Sequence, residues 1–429
     1  IEWIGEIPEG WEVRKIKTFS PVLRGASPRP IDDPQYFDES GKYSWVRISD
    51  VSAAKKYLYS AGDRLSKIGE SKSVKIHAGD LFVSICASVG KACISKIDCC
   101  IHDGFVYFPS LDRRMVNFLY YIFTSGECYS GLGKLGTQLN LNTNTVADIY
   151  IPFSSIEHCA YIADYLDAKC GRIDESAALV RQSMEKLRAY KLSLITEAVT
   201  KGLDPNVPMK DSGIQWIGET PKGWIICTLA SCVVSIESGV SVNAGGEPAK
   251  ENEFGILKTS CVYGFSFNVL ENKSVNHDEY CRLKCSVKKD SLIVSRMNAP
   301  ELVGACGYVD ESYENIFLPD RLWQVSIKKS YCSKFIYYYI VSSPVRAYLA
   351  SRATGTSGSM KNISQKQFVT TPFVCPPLAE QQRIADYLDA KCARIDALLE
   401  EKERLLNRLA EYKKSLIFEC VTGKREVSA

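Results

Sequence analysis

Two arginines bracket a loop shaped by Gly and Pro, Arg24-Gly25-Ala26-Ser27-Pro28-Arg29. A guanidinium fork on such a loop matches the acceptor pair of a guanine edge, or two oxygens of a phosphate. Lys134 and Gln138 crowd a second glycine-containing loop, and Arg352 and Lys361 lie in the loop that corresponds to it later in the chain. Arg47 and Lys258 follow strand-like starts at matching places. Between positions 42 and 96, ten basic residues, Lys91 among them, face four acids; Arg282, Lys284, Lys288, Lys289 and Arg296 face only Asp290. Patches of this kind can neutralise phosphates. Each taken singly reads equally well as a solvated surface, but as a set on two diverged copies of one frame they are better explained by recognition.

Catalytic chemistry finds less support. Gly131-Leu132-Gly133-Lys134-Leu135-Gly136 fits G-x-G-x-x-G, yet a dinucleotide loop must follow a strand and open a helix, and this one runs into turn-forming residues. Asp33-Pro34-Gln35-Tyr36 has the outline of an amino-methyltransferase motif with its third residue wrong, and the second copy has no equivalent. Pro319-Asp320 lacks the Glu-x-Lys of a nuclease, and the matching Asp103 suggests a turn-capping role in both copies. Cys281, Cys285, Cys99 and Cys100 lack C-x-x-C partners, and the four histidines are scattered, so no metal site is expected. No phosphate-cradling G-x-x-x-x-G-K-[ST] occurs. The reading is a non-catalytic chain with no cofactor of its own.

The elements that must position those loops come from a tandem repeat of 429 residues. Trp3-Ile4-Gly5-Glu6-Ile7-Pro8-Glu9-Gly10-Trp11 returns as Trp216-Ile217-Gly218-Glu219-Thr220-Pro221-Lys222-Gly223-Trp224, and the run 162–170 returns unchanged at 384–392. Between these landmarks the copies agree only in outline: Leu81-Phe82-Val83-Ser84 with Leu292-Ile293-Val294-Ser295, and Phe118-Leu119-Tyr120-Tyr121 with Phe335-Ile336-Tyr337-Tyr338. Two similar frames with different surfaces suit modules that recognise different things. Short β-rich runs at 44–48, 81–85 and 105–108 among Gly, Pro and Asp turns, with short helices near 115–124 and 332–342, predict an α+β module.

Each module is followed by a long helical segment. Ile162, Leu166, Lys169, Ile173, Ser176, Val180, Ser183, Leu187, Tyr190 and Leu194 alternate by four and three, and so do Ile384, Leu388, Lys391, Ile395, Leu398, Lys402, Leu405, Leu409, Tyr412 and Leu416. A 3.5-residue period makes an apolar seam that needs a partner helix. Gly202 and Gly423 mark the stops. The expected organisation is a first module over 1–155, a long helix over 156–202, a linker over 203–213, a second module over 214–377, a long helix over 378–424 and a tail over 425–429. The least demanding way to bury both seams is an antiparallel intramolecular coiled coil, pseudo-twofold symmetric, that separates the two modules.

Composition sets outer bounds. Fifty-three basic against fifty acidic residues leave a net charge of +3, so nucleic-acid binding must use local patches. Seventeen scattered cysteines in a long chain read as reduced thiols of a cytoplasmic protein. No apolar run approaches the roughly 18 to 20 residues of a membrane span, and no membrane partner is expected.

The repeated Trp-Ile-Gly-Glu-x-Pro-x-Gly-Trp, the run Pro-Pro-Leu-x-Glu-Gln-Gln-Arg-Ile-Ala-x-Tyr-Leu-Asp at 376–389 and Tyr-Lys-Lys-Ser-Leu-Ile at 412–417 closely resemble the DNA-specificity subunit of type I restriction–modification systems. The resemblance covers the whole chain in order, duplication and spacing. It implies that each module is a target recognition domain reading one half of a split, asymmetric site in double-stranded DNA, and that the helices set the gap. It further implies docking of two methyltransferase subunits, which bring S-adenosylmethionine, and of restriction subunits, which use ATP and Mg. On that implication Arg24, Arg29, Arg47, Lys91, Lys134, Gln138, Lys258, Arg296, Arg352 and Lys361 are the DNA-contact candidates. Tyr165, Asp167, Glu380, Gln381, Tyr387 and Asp389 are the docking candidates. Two departures stand out. Glu157-His158-Cys159-Ala160 replaces the Ala379-Glu380-Gln381-Gln382 of the second copy, so the docking surfaces are expected to differ, and the chain opens inside its first Trp-Ile-Gly-Glu motif, so leading residues are expected to be missing. The competing reading is a scaffold whose modules bind proteins and never touch bases.

Overall fold

The computed structural model describes residues 1–132, 141–357 and 360–427. The chain forms two compact units, Ile1–Arg181 with Glu403–Ala429, and Gln182–Lys402. Both are mixed α+β.

In the first unit, strand Glu12–Lys15 pairs antiparallel with Tyr150–Phe153, so the two ends of the module close on each other. A five-stranded sheet runs in the order Leu23–Arg24, Phe105–Tyr107, Leu81–Ser84, Ala92–Ser95, Tyr57–Leu58. A four-stranded sheet runs Asp63–Arg64, Ser44–Val46, Cys99–Ile101, Val74–Ile76, with the middle two strands parallel. The unbroken apolar run Leu81-Phe82-Val83 reflects burial of that strand on both faces. Leu81 and Val83 belong to the core under the helices, and Phe82 to a second core between the sheets.

The second unit follows the same plan. Ile225–Thr228 pairs with Pro372–Cys375. One sheet runs Val233–Ser238, Leu322–Ile327, Ser291–Ser295, Cys306–Tyr308; the other runs Asn272–Ser274, Gly255–Leu257, Tyr313–Phe317, Ser286–Val287, again with its middle pair parallel. A small further sheet joins Met297–Asn298, Met360–Asn362 and Thr354–Ser357. Part of the expected linker is structured, since Met209–Asp211 pairs with Glu219–Pro221.

Each module carries a short helix, Val116–Ser125 and Ser333–Val341, at the places the apolar runs predict. Phe118, Leu119, Ile122 and Phe123 are buried on the first, and Phe335, Ile336, Tyr339 and Ile340 on the second. The long helices span Ile156–Lys201 and Leu378–Val421. Forty-six residues at 1.5 Å rise make the first about 69 Å long.

The long helices pair in opposite directions within each unit. In the first, His158 Nε2 meets the Val427 carbonyl and Lys413 Nζ donates to Asp174 at 2.7 Å. In the second, Lys191 Nζ donates to Asp396 at 2.7 Å, and Ile195, Ala198 and Val199 share a core with Ile384, Ala385, Leu388 and Cys392.

The seam itself departs from expectation at alternate positions. Lys169, Ser176 and Tyr190 are exposed and Ser183 is half-buried, and beside 169, 176 and 183 burial falls one residue later, on Cys170, Ala177 and Met184. In the second helix Lys391, Leu398, Leu405 and Tyr412 are exposed, while Cys392 is buried with Leu388, Ile395 and Leu416. The period of four and three is preserved. The face is turned because small Cys and Ala side chains let the helices approach, whereas the heptad that maximises Leu content points outward on alternate turns.

Candidate nucleic-acid interface

The loop 24–29 lies against the turn that enters strand Phe105–Tyr107. Its approach is so close that a Cβ on Gly25 would meet the His102 carbonyl oxygen at 2.2 Å. The same crowding recurs in the second unit, where a Cβ on Gly239 would fall 1.5 Å from the Leu318 carbonyl oxygen. Both loops therefore need glycine at the equivalent place.

In the first unit this packing gathers charge. The Ser27 hydroxyl donates to Asp103 Oδ1 at 2.7 Å, Arg29 Nη2 donates to Oδ2 at 2.8 Å, and Arg24 Nε donates to the Asp103 carbonyl. The Ser27 hydrogen bond, with the Arg29 and Arg24 charges behind it, holds the Asp103 carboxyl below the usual carboxylate range. Asp103 thus does more than cap a turn. It orders the arginine loop while leaving the Arg29 side chain 72% exposed. His102 packs at a tilt against Trp45 and Phe105, and burial, with help from the Arg47 charge, pushes its imidazole below the usual range. Arg47 is exposed and paired with Asp63. Lys91 donates to the Ser52 carbonyl at 2.7 Å and is held to the chain there. Lys134 and Gln138, with most of the Gly-rich run 131–136, lie outside the described residues.

In the second unit Arg296, Lys361 and Arg352 converge. Ile363 N donates to the Arg296 carbonyl, Asn298 pairs with Lys361, and Arg352 ends the helix Ser343–Arg352 that leads into the small sheet. The Arg296 guanidinium lies 6.0 Å from the Trp323 ring centroid, with its Nε buried and unpartnered among the described residues. Trp323 Nε1 and Asn362 Oδ1 are likewise buried without partners. Three unsatisfied polar atoms, on Arg296, Trp323 and Asn362, are costly unless something polar reaches them. Lys258 lies 3.9 Å from Glu271. Its segment is tied to the others through Tyr263, whose hydroxyl meets Thr259 Oγ1 at 2.9 Å and accepts from Asn298 Nδ2 at 3.1 Å.

Tyr263, Asn298 and Arg346 were invisible to the charge pattern. Arg346 is 9% exposed and donates to the Val303 and Glu301 carbonyls at 2.7 and 2.9 Å, which fixes the loop beside Met297–Asn298. Burial without a carboxylate pushes its guanidinium down to about 10. Arg346 shares the helix Ser343–Arg352 with Arg352, and nothing in the sequence distinguishes the buried arginine from the exposed one.

The docking candidates divide. Gln381 is 1% exposed, accepts from Cys332 N and donates to the Pro376 carbonyl. It anchors the start of the second long helix within its own unit, a correction to its expected place on a docking surface. Glu380 accepts from Trp224 Nε1 at 3.2 Å. Asp167 and Asp389 are half-exposed, and each receives a lysine and a tyrosine of its own module. Tyr165 and Tyr387 remain half-exposed, each with a lysine of the next turn over its ring.

Asp33-Pro34-Gln35-Tyr36 is a single turn in which Asp33 accepts from Gln35 N. Among the described residues no cluster of three or more His, Cys, Asp or Glu could hold a metal, and no helix is long and apolar enough to cross a membrane. All seventeen cysteines are free thiols.

A model of the type I restriction modification DNA specificity domain matches residues 8–175 and again 246–408. The chain belongs to that family. The first match takes in most of the first module and part of the long helix after it, and the second begins inside the second module and runs into the second long helix. The chain is similar to the Type I restriction enzyme EcoEI specificity subunit of Escherichia coli, 23% identical over 243 residues, which are 56% of this chain and 40% of that one. It is also similar to the Type I restriction enzyme EcoKI specificity subunit of Escherichia coli (strain K12), 21% identical over 437 residues, 98% of this chain and 90% of that one. Among solved structures, a chain described under complex assembly and conformational transition of the type I R-M system shares the fold, with a TM-score of 0.71 at 16% identity, covering 98% of this chain and all of that one.

Proposed function

We propose that this specificity-domain chain is the non-catalytic DNA-recognition subunit of a type I restriction–modification complex, with each module reading one half of a bipartite asymmetric site. The observation that carries the reading is the pair of modules with one strand order and unlike surfaces at the same end of the sheet. The first offers Arg24 and Arg29 ordered around Asp103, with Arg47 paired to Asp63, and the second offers Arg296, Lys361, Asn298 and Tyr263.

The two long helices form the spacer as an antiparallel coiled coil. In support, the ion pairs Asp174–Lys413 and Lys191–Asp396 join equivalent residues of the two repeats with the roles exchanged, as a pseudo-twofold axis requires. Two similar surfaces on one chain can recruit two identical partners, here the methyltransferase subunits, which supply S-adenosylmethionine chemistry. Restriction subunits using ATP and Mg complete the assembly. Half-exposed Tyr165 and Tyr387 remain docking candidates, whereas Gln381 does not.

The test is module exchange. The chain, purified with its methyltransferase partner, is expected to protect a two-part sequence of which only one half changes when residues 1–155 are swapped for those of a relative. If both halves change, modular reading is lost. If cognate DNA shows no excess over random DNA at moderate salt, the scaffold reading wins.

A further inference from the structure

Each module is joined to its long helix by the same contact. In the first unit the Tyr121 hydroxyl donates to the Asp167 carboxylate, which also receives the Lys56 ammonium. In the second the Tyr338 hydroxyl donates to Asp389 Oδ1 at 2.7 Å, and the Lys334 ammonium donates to the other oxygen. Tyr121 and Tyr338 occupy equivalent places on the module helices, and Asp167 and Asp389 the same place in the repeated Ile-Ala-Asp-Tyr-Leu-Asp-Ala-Lys-Cys. The tyrosines are 4% and 5% exposed, so packing fixes each hydroxyl before it meets its carboxylate.

The lysines differ. Lys56 opens the edge strand Tyr57–Leu58 of the five-stranded sheet, with its ammonium 5.2, 5.2 and 4.9 Å from the ring centroids of Tyr57, Tyr120 and Tyr121. Lys334 belongs to the module helix itself and is more open to solvent. The first contact therefore ties together sheet edge, module helix and long helix through a lysine beside the edge strand, whereas in the second the lysine comes from the module helix and meets the sheet only through the Tyr308 ring, 5.5 Å away. Charge-assisted bonds to a half-buried carboxylate are directional and about twice as strong as neutral ones.

We propose that these Tyr–Asp contacts are clips that fix the angle of each module on its long helix, and that the first, locked into the sheet by Lys56, is the tighter. The inference rests on the reading that two modules meet two half-sites across a set gap. A displacement of about 3.4 Å along the duplex is one base pair, so a loosened module angle relaxes the gap the complex accepts. Tyr121, Lys56 and Asp167 act as positioning residues and touch no base.

The experiment measures binding of the full chain, with its methyltransferase partner, to duplexes that keep both half-sites and change the gap by one base pair. Tyr121→Phe removes only a hydroxyl, and Lys56→Met keeps the stem of the side chain. Each is expected to reduce the preference for the cognate gap about tenfold, with base preference inside the half-sites unchanged. Lys334→Met is expected to reduce it less. Leu119→Ala lowers the stability of the same module helix without touching the clip, and is expected to leave gap preference as in wild type. Gap preference retained in both Tyr121→Phe and Lys56→Met overturns the inference and leaves the two-half-site reading standing. A wild-type complex indifferent to the gap overturns both.

Discussion

Asp103 shows what a single carboxylate does for a basic loop. Left to itself, 24–29 would present two arginines on a mobile segment. Anchored through Ser27 and Arg29, it presents them in one arrangement. Because the Asp103 carboxyl is held below its ordinary value of 3.8 in the folded protein, its contribution is fully present above that pH and is lost as pH falls through the depressed value. Acid titration of the native protein is expected to loosen residues 24–29 in that window. Asp103→Asn should show the loosening at every pH, as read by amide exchange of Ser27 and Arg29. If wild type and variant exchange alike at neutral pH, the anchor is elsewhere. For recognition, Arg29→Ala and Arg296→Ala are each expected to weaken cognate binding by about 1 to 3 kcal/mol and to relax selectivity in one half-site only. Affinity and footprint equal to wild type would remove that arginine from the reading surface. Arg296 is expected to be the more sensitive of the two, because its Nε is buried and its guanidinium lies beside the Trp323 ring.

At the scale of elements, the helix seam makes the sharpest claim. Position 177 is buried and small, and 176 beside it is exposed. Ala177→Leu is therefore expected to cost about 1 to 3 kcal/mol by overpacking. Ser176→Leu should shift stability by less than about 0.5 kcal/mol. Thermal melting of the two variants decides between the observed face and the Leu-rich face that the heptad count favours. The exposed pair Lys413–Asp174 is a register mark more than a source of stability, worth about 0.2 to 1 kcal/mol in a double-mutant cycle.

At the scale of the whole molecule, the duplicated helix surfaces lead to a count of partners. Native mass measurement of the proposed complex is expected to give two methyltransferase subunits per chain. Tyr165→Ala or Tyr387→Ala should each weaken the binding of one of them. Loss of both subunits with a single substitution would deny the two surfaces their independence.

The sequence by itself determined the duplication, the place of the module helices, the two long helices with their glycine stops, and the membership in a family whose two matched stretches fall one within each repeat. Those features are written in local composition and periodicity, because an apolar face of a helix or a doubly buried strand such as Leu81–Ser84 needs a contiguous pattern to exist at all. The tertiary structure alone decided which face of each long helix is buried, that Gln381, Asp167 and Asp389 find partners inside their own units, and that Tyr263, Asn298 and Arg346 belong beside Arg296. Those outcomes depend largely on partners distant in sequence, up to 239 residues away, where a one-residue turn of a helix or a single buried carbonyl decides the contact. No local pattern records such pairings, because the chain closes them only when its elements pack.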